Sequence, residues 1–358
     1  DDGLGTSRDD VIRRWLVIGT ENKIETNDSE PATTLGLEPR LRQGEKGIGR
    51  LSAAFLAPAT ILVSKSDNSP FVVVLVDWRL FENPYLALSD IQLPVAEFES
   101  VDAALSNLPS MVKTLLSNLG GSGDARGKYL AESWKRFTDL ETSDNAHSTT
   151  VSKIESLWNC PAPLTQRHMD EWVVTHGLAD HGTAMFLINL NHELAVWATP
   201  SEVGEEVDLI KDKLRATLTS FTDPYSTTPV SFNYEFSSHT PSGTKTWLRS
   251  TDIFGLDDLR ELEHRIEGRF DDQGVFTGQV VAFGQDFGTT TIAPNQTPSQ
   301  RVGKLGPFEF AIGSFEQDAR RTTHPPTQHA WLLKQAETRA GVAVYRDSLR
   351  VMPYGRPD

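Results

Sequence analysis

The chain has 358 residues, 38% of them hydrophobic, a formal net charge of −15 and a single cysteine, Cys160. That length exceeds one ordinary core and predicts two domains, each with enough apolar content to bury its own. An apolar run of the ~18 residues needed to span a bilayer is absent, one cysteine excludes a disulfide framework or a multi-thiolate metal site, and the acidic balance repels phosphate backbones. A cytoplasmic protein with no membrane span is expected, and a nucleic-acid partner is not supported by the charge.

The chain opens on Asp1 without methionine and stops at "PYGRPD" directly after a strand-like run. It therefore reads as part of a longer protein. After "DDGLGT", residues 8–18 carry Val11, Ile12, Trp15, Leu16 and Ile18 at helical spacing, with Asp9 and Asp10 favourably placed in the first turn. Residues 20–43 are polar, contain two prolines and lack periodicity, which predicts a loop. The stretch "GEKGIGRLS" (44–52) then opens a second helix whose inward face is Ile48, Leu51, Ala54 and Phe55, closed by Pro58.

Further along, "TILVSK", "FVVVLVDW" (71–78) and "AMFLINL" (184–190) predict strands, the last two buried, and 101–119 and 205–221 predict amphipathic helices. The proline-containing "TDPYSTTPV" (222–230) marks the domain boundary. Beyond it come strands at 231–237, 276–284 and 341–346, and a helix around 256–267. The fold class is mixed, α/β or α+β.

Glycines at the density of 44–49 either turn the backbone through conformations closed to other residues or let it approach a ligand with its N–H groups exposed. An anion such as a triphosphate is favoured where those groups run into a helix N-terminus, and Lys46 and Arg50 would add charge. Asp1 reads either as a buried acceptor for an exocyclic amine or as an exposed acid in a turn. The histidines at 168, 176, 181 and 192 have neither H-x-x-x-H spacing nor cysteine partners, so a metal site is not expected. Cys160, in "NCPAP", has no evident base and reads as buried filler.

Taken in order, Asp1, Gly3 and Gly5 (D-x-G-x-G), then Gly19, Thr20 and Lys23 after a helix, then Gly44, Gly47 and Gly49 (G-x-x-G-x-G), and the late pair Gly182 and Thr183 form a series. That series resembles the GHKL ATPase superfamily, which includes gyrase B, the ninety-kilodalton heat-shock chaperone, histidine kinases and MutL, and is closest to MORC-like and heat-shock-like bacterial members. The resemblance implies a Bergerat-type ATP-binding sandwich over 1–222, incomplete at its start. It implies that ATP is held by Asp1, Gly3, Gly5, Thr20, Lys23, Gly44, Lys46, Gly47, Ile48, Gly49, Arg50 and Thr183. The family's helix with a glutamate base and a magnesium-holding asparagine precedes the D-x-G-x-G motif, and nothing here precedes Asp1. No catalytic residue is assigned, the Mg2+ ligand is expected from that missing helix, and the segment is expected to bind nucleotide poorly.

The second segment, 223–358, resembles a transducer domain in "KLGPFEF" and "GVAVYRDSLRVMPYG". Lys304, Arg346 and Arg350 are candidates for sensing the terminal phosphate. ATP-dependent lid closure, homodimerisation and action on an unknown protein client are what the resemblance implies. A non-hydrolysing nucleotide sensor or scaffold is the alternative.

Overall fold

The apolar runs at Ala59–Lys65 (β1) and Phe71–Asp77 (β2) pair as an antiparallel hairpin, with Ile61 opposite Leu75 and Val63 opposite Val73. The chain reverses through a turn in which Asn68 takes a left-handed conformation at φ 54°, a geometry asparagine tolerates. The computed structural model describes residues 1–16, 52–144, 146–159, 163–172, 174–175, 177, 180–191, 222–227, 233–240, 243–294, 306–346 and 349–354. The class is mixed α and β, and the chain divides into two units, Asp1–Ala198 and Thr199–Asp358. The division falls ahead of the proline-containing stretch at 222–230. Residues 222–227 pack in the second unit, where Leu256 N–H donates to the Pro224 carbonyl.

In the first unit β1 and β2 are joined by Val95–Phe98 (β3) and Gly182–Ile188 (β4) in a four-stranded antiparallel sheet of order β3-β2-β1-β4. Side chains alternate across a strand, so odd and even positions serve different layers. Odd positions, among them Ile61, Val63, Val73 and Leu75, meet helices Val101–Leu116 and Thr150–Trp158 through Leu108, Leu115, Ile154 and Trp158. Even positions Leu62, Val72, Val74 and Val76 pack against Val11, Trp15 and Leu16. Burial on both faces explains why β2 reads as a continuous apolar run, each large side chain contributing about 1.5–3 kcal/mol. The long helix Val101–Leu116 starts at Ser100, whose hydroxyl accepts from Ala103 N–H at 3.2 Å, the usual N-cap arrangement.

Three expectations change here. The early helix is an α-helical turn Arg8–Asp10 continued by a π-helical stretch Val11–Trp15. In the helix Ser52–Leu56, Ala53 is the buried residue and Phe55 is 80% exposed. Ile48 and Leu51, expected on the same face, lie outside the described residues. Strand β4 is half-buried rather than buried: among the described residues it stands outermost of the four strands, and Met185 is exposed. The expected helix 205–221 and Cys160 lie outside the described residues.

The second unit is built on Phe308–Ser314 (β10), His264–Phe270 (β7), Phe276–Ala282 (β8) and Gln285–Ile292 (β9), a four-stranded antiparallel sheet in that spatial order. Leu259, Leu262 and Leu332 form the core between this sheet and the helices Leu256–Arg260 and Pro326–Arg339. The helix expected over 256–267 stops at Arg260, and its second half is β7. Pairing of Ile266 with Ile312 and Val280 satisfies that backbone in the ladder instead. Hairpins Glu235–Thr240 with Gly243–Arg249, and Val342–Arg346 with Leu349–Tyr354, complete the unit. Among the described residues no helix is long and apolar enough to cross a membrane.

Candidate functional site

The start of the chain lies along the outer side of β4. Asp1 main-chain nitrogen donates to Thr183 O at 2.8 Å, and Thr183 N–H returns a bond to Asp1 O at 3.2 Å. Exchange of both bonds is the pattern of a hydrogen-bonded antiparallel pair, so Asp1 extends the sheet by one residue beyond β4. Trp172, buried in the core, donates its indole N–H to the same Asp1 carbonyl at 3.0 Å. His181 Nδ1 lies 2.8 Å from Gly3 O. The D-x-G-x-G segment is thus anchored by four contacts to residues far along the chain.

The glycines are required by that anchoring. Gly5 sits at φ +68°, and a Cβ there would fall 1.9 Å from the Lys65 carbonyl oxygen. At Gly182 a Cβ would fall 2.2 Å from Asp1 O. The glycine of the G-T pair is therefore the one across which the Asp1 backbone passes, and the second glycine of the first motif is pressed on the end of β1. Gly5→Ala is expected to destabilise the first unit by roughly 1–3 kcal/mol through backbone strain, read as a lower urea midpoint, whereas a midpoint unchanged from wild type would contradict this packing.

Pairing of Thr183 with Ser64 across β4 and β1 puts both on the even face of the sheet, with Leu62 and Val11. Thr183 Oγ1 and Ser64 Oγ are 2.9 Å apart, and Ser64 Oγ lies 3.2 Å from Gly182 O. Asp1, paired with Thr183, belongs to the same face. The site therefore gathers one carboxylate, one hydroxyl and bare backbone at Gly3 and Gly5.

Asp1 departs from the buried acceptor that adenine recognition would favour. It is exposed, and its Oδ1 accepts from Gly3 N–H at 2.9 Å in a local turn, the alternative read from the sequence. Its second carboxylate oxygen makes no such turn contact. Ser64, which no motif flagged, is the residue missed: it is fully buried, as is Thr60 on the same strand, and nothing in the sequence sets one apart from the other.

Thr20, Lys23, Gly44, Lys46, Gly47, Ile48, Gly49 and Arg50 lie outside the described residues, as does Lys304. In the second unit Arg346 and Arg350 stand on the two strands of one hairpin, where Arg346 pairs with Leu349 and Arg350 with Tyr345. Arg346 is exposed, and the Arg350 Nε is buried without a hydrogen bond.

A separate open cleft of about 1290 Å³ borders β3, lined by residues that include Ile12, Trp15, Trp78, Leu88 and Met111. Its lining reaches Asn191, just past the end of β4, and includes none of Asp1, Gly3, Gly5 and Thr183. Glu82 in its wall has a carboxyl raised above the ordinary value by burial, with Arg79 pulling the other way. The volume of this cleft and the chemistry at Asp1 and Thr183 thus do not coincide, and the hydrogen-bonding groups, not the volume, define the candidate site. Compared with protein-family models and with curated proteins, the chain matches none.

Proposed function

We propose that the first unit binds an adenine nucleotide, ATP, at the corner where Asp1, Gly3 and Gly5 meet Thr183. The observation that carries this reading is the reciprocal main-chain pairing of Asp1 with Thr183, at 2.8 and 3.2 Å. Two motifs separated by most of the unit, chosen on sequence for one ligand, converge on one edge, and their glycines are required by the convergence. A carboxylate and a hydroxyl oxygen beside bare backbone suit the exocyclic amine of adenine, whereas the guanine carbonyl would face two acceptors.

Phosphate and Mg2+ contacts belong to the same proposal. None of the described residues is assigned to the metal, and Lys23, Lys46 and Arg50, the bases expected at the phosphates in the first unit, lie outside the described residues. Hydrolysis of the terminal phosphate would supply the change of state, and closure over the nucleotide with dimerisation in an ATPase of the Bergerat type is what the motif series supports. A sensor that binds without turnover is the second reading. Phosphate release separates the two.

The test is equilibrium binding of a fluorescent ATP analogue to the 358-residue chain. Asp1→Asn and Thr183→Val are each expected to weaken it about tenfold, the loss of roughly one hydrogen bond to a charged or desolvated partner. Equal affinity in all three proteins would remove Asp1 and Thr183 from the site.

A further inference from the structure

We infer that Ser64 is a positioning residue that fixes the polarity of the Thr183 hydroxyl and so sets selection of an amino-purine over an oxo-purine; this rests on the nucleotide reading above. Ser64 has one hydroxyl hydrogen and two neighbours, the Gly182 carbonyl at 3.2 Å and Thr183 Oγ1 at 2.9 Å. A carbonyl oxygen can only accept, so the hydrogen bond between Ser64 and Gly182 O uses the Ser64 proton. The remaining contact then requires Thr183 to donate its own proton to Ser64 Oγ.

A directed chain results, from Thr183 to Ser64 to Gly182. With its proton committed inward, the Thr183 oxygen faces a ligand as an acceptor only. Asp1, paired with Thr183 on the same face, supplies a carboxylate, which also only accepts when ionised. Two acceptors match an exocyclic NH2 and mismatch a carbonyl.

Ser64 is fully buried on the even face of β1, so water cannot take its place in the relay. Its pair with Thr183 is the non-hydrogen-bonded kind, because Thr183 N–H and C=O are both turned to Asp1. Side chains approach most closely in such pairs. Without Ser64 the Thr183 hydroxyl is free to rotate and donate to an oxo group.

Affinities for ATP and GTP, measured by competition against the fluorescent ATP analogue, give the ratio that tests this. Ser64→Ala is expected to keep ATP binding within about threefold and to lower the ATP-over-GTP ratio about tenfold. Ser64→Cys, close in size but a weak donor, should lie between Ser64→Ala and wild type. Thr183→Val and the double variant Ser64→Ala/Thr183→Val should share one ratio, since Ser64 acts only through Thr183. An unchanged ratio in both Ser64 variants, or a further fall in the double variant, overturns the assignment of Ser64 while leaving nucleotide binding standing. A wild-type chain that binds no ATP overturns both.

Discussion

Asp77→Ala is expected to destabilise the first unit by about 3–5 kcal/mol, the typical effect of leaving a buried charge without its partner. Asp77 is fully buried at the end of β2 and accepts four hydrogen bonds. Arg79 donates from Nε to Oδ1 at 2.9 Å, from Nη2 to Oδ2 at 2.6 Å and from its backbone N–H to Oδ1 at 3.1 Å. Trp158 adds its indole N–H to Oδ2 at 2.7 Å, tying the helix Thr150–Trp158 to the sheet. The bidentate guanidinium is the strong form of this contact. Removal of the carboxylate leaves a nearly buried cation and an indole donor with nothing to bond.

The expected signature is a melting temperature of that unit lower by about 10 °C. Asp77→Leu combined with Arg79→Met removes both charges and is expected to cost less than Asp77→Ala alone. A loss below about 1 kcal/mol in Asp77→Ala would mean that the pair contributes little.

Glu263→Ala is expected to destabilise the second unit by about 3 kcal/mol, the cost of unmaking a buried charged network. Glu263 is buried between the helix Leu256–Arg260 and β7, where burial raises its carboxyl pKa. Donors outweigh that effect: Glu316 N–H at 2.7 Å, Thr323 Oγ1 at 2.7 Å, Thr322 Oγ1 at 2.9 Å and the Thr323 N–H. The balance brings the carboxyl down from its ordinary 4.5 to about 2. One side chain thus pins the connection between β10 and the helix Pro326–Arg339.

The sign of the pH dependence follows. The folded state holds the proton less tightly than the unfolded chain, so the stabilisation is complete above about pH 4.5 and is lost as pH falls toward about 2. Urea midpoints of the second unit measured between neutral pH and pH 3 should fall for the wild type, and Glu263→Gln should flatten that slope. A Glu263→Gln chain with the wild-type slope would assign the acid sensitivity elsewhere.

Legibility in the sequence followed from how each segment is buried. β2 is visible because burial on both faces leaves almost no polar position, β1 because residues 61–63 form a short apolar run, and the helix Val101–Leu116 because Leu108, Met111, Val112 and Leu115 repeat at helical spacing. The helix Ala125–Ser143 was not visible: its buried face is Gly127, Leu130, Ser133 and Trp134 in an otherwise polar stretch. β7 was taken into a helix because "HRIEGRF" carries charges that its pairing partners, not its own pattern, accommodate. Phe55 was assigned to a core that it does not enter.

At the candidate site, Asp1, Gly5, Gly182 and Thr183 stand out in the sequence, and the structure places the Asp1–Gly5 segment beside β4 and the end of β1. Two things needed coordinates. The Asp1 side chain caps Gly3 while its main chain pairs with Thr183, and spacing alone cannot separate those roles. Ser64 acts through a cross-strand register, which is a property of two segments and not of either one.

Hydrogen exchange of the 358-residue chain with and without ATP bears most directly on whether these motifs form one nucleotide site. The account predicts slower exchange at residues 1–5 and 182–188 with ATP and much less slowing with GTP. Slowing confined to other segments, or equal slowing by both nucleotides, would contradict it.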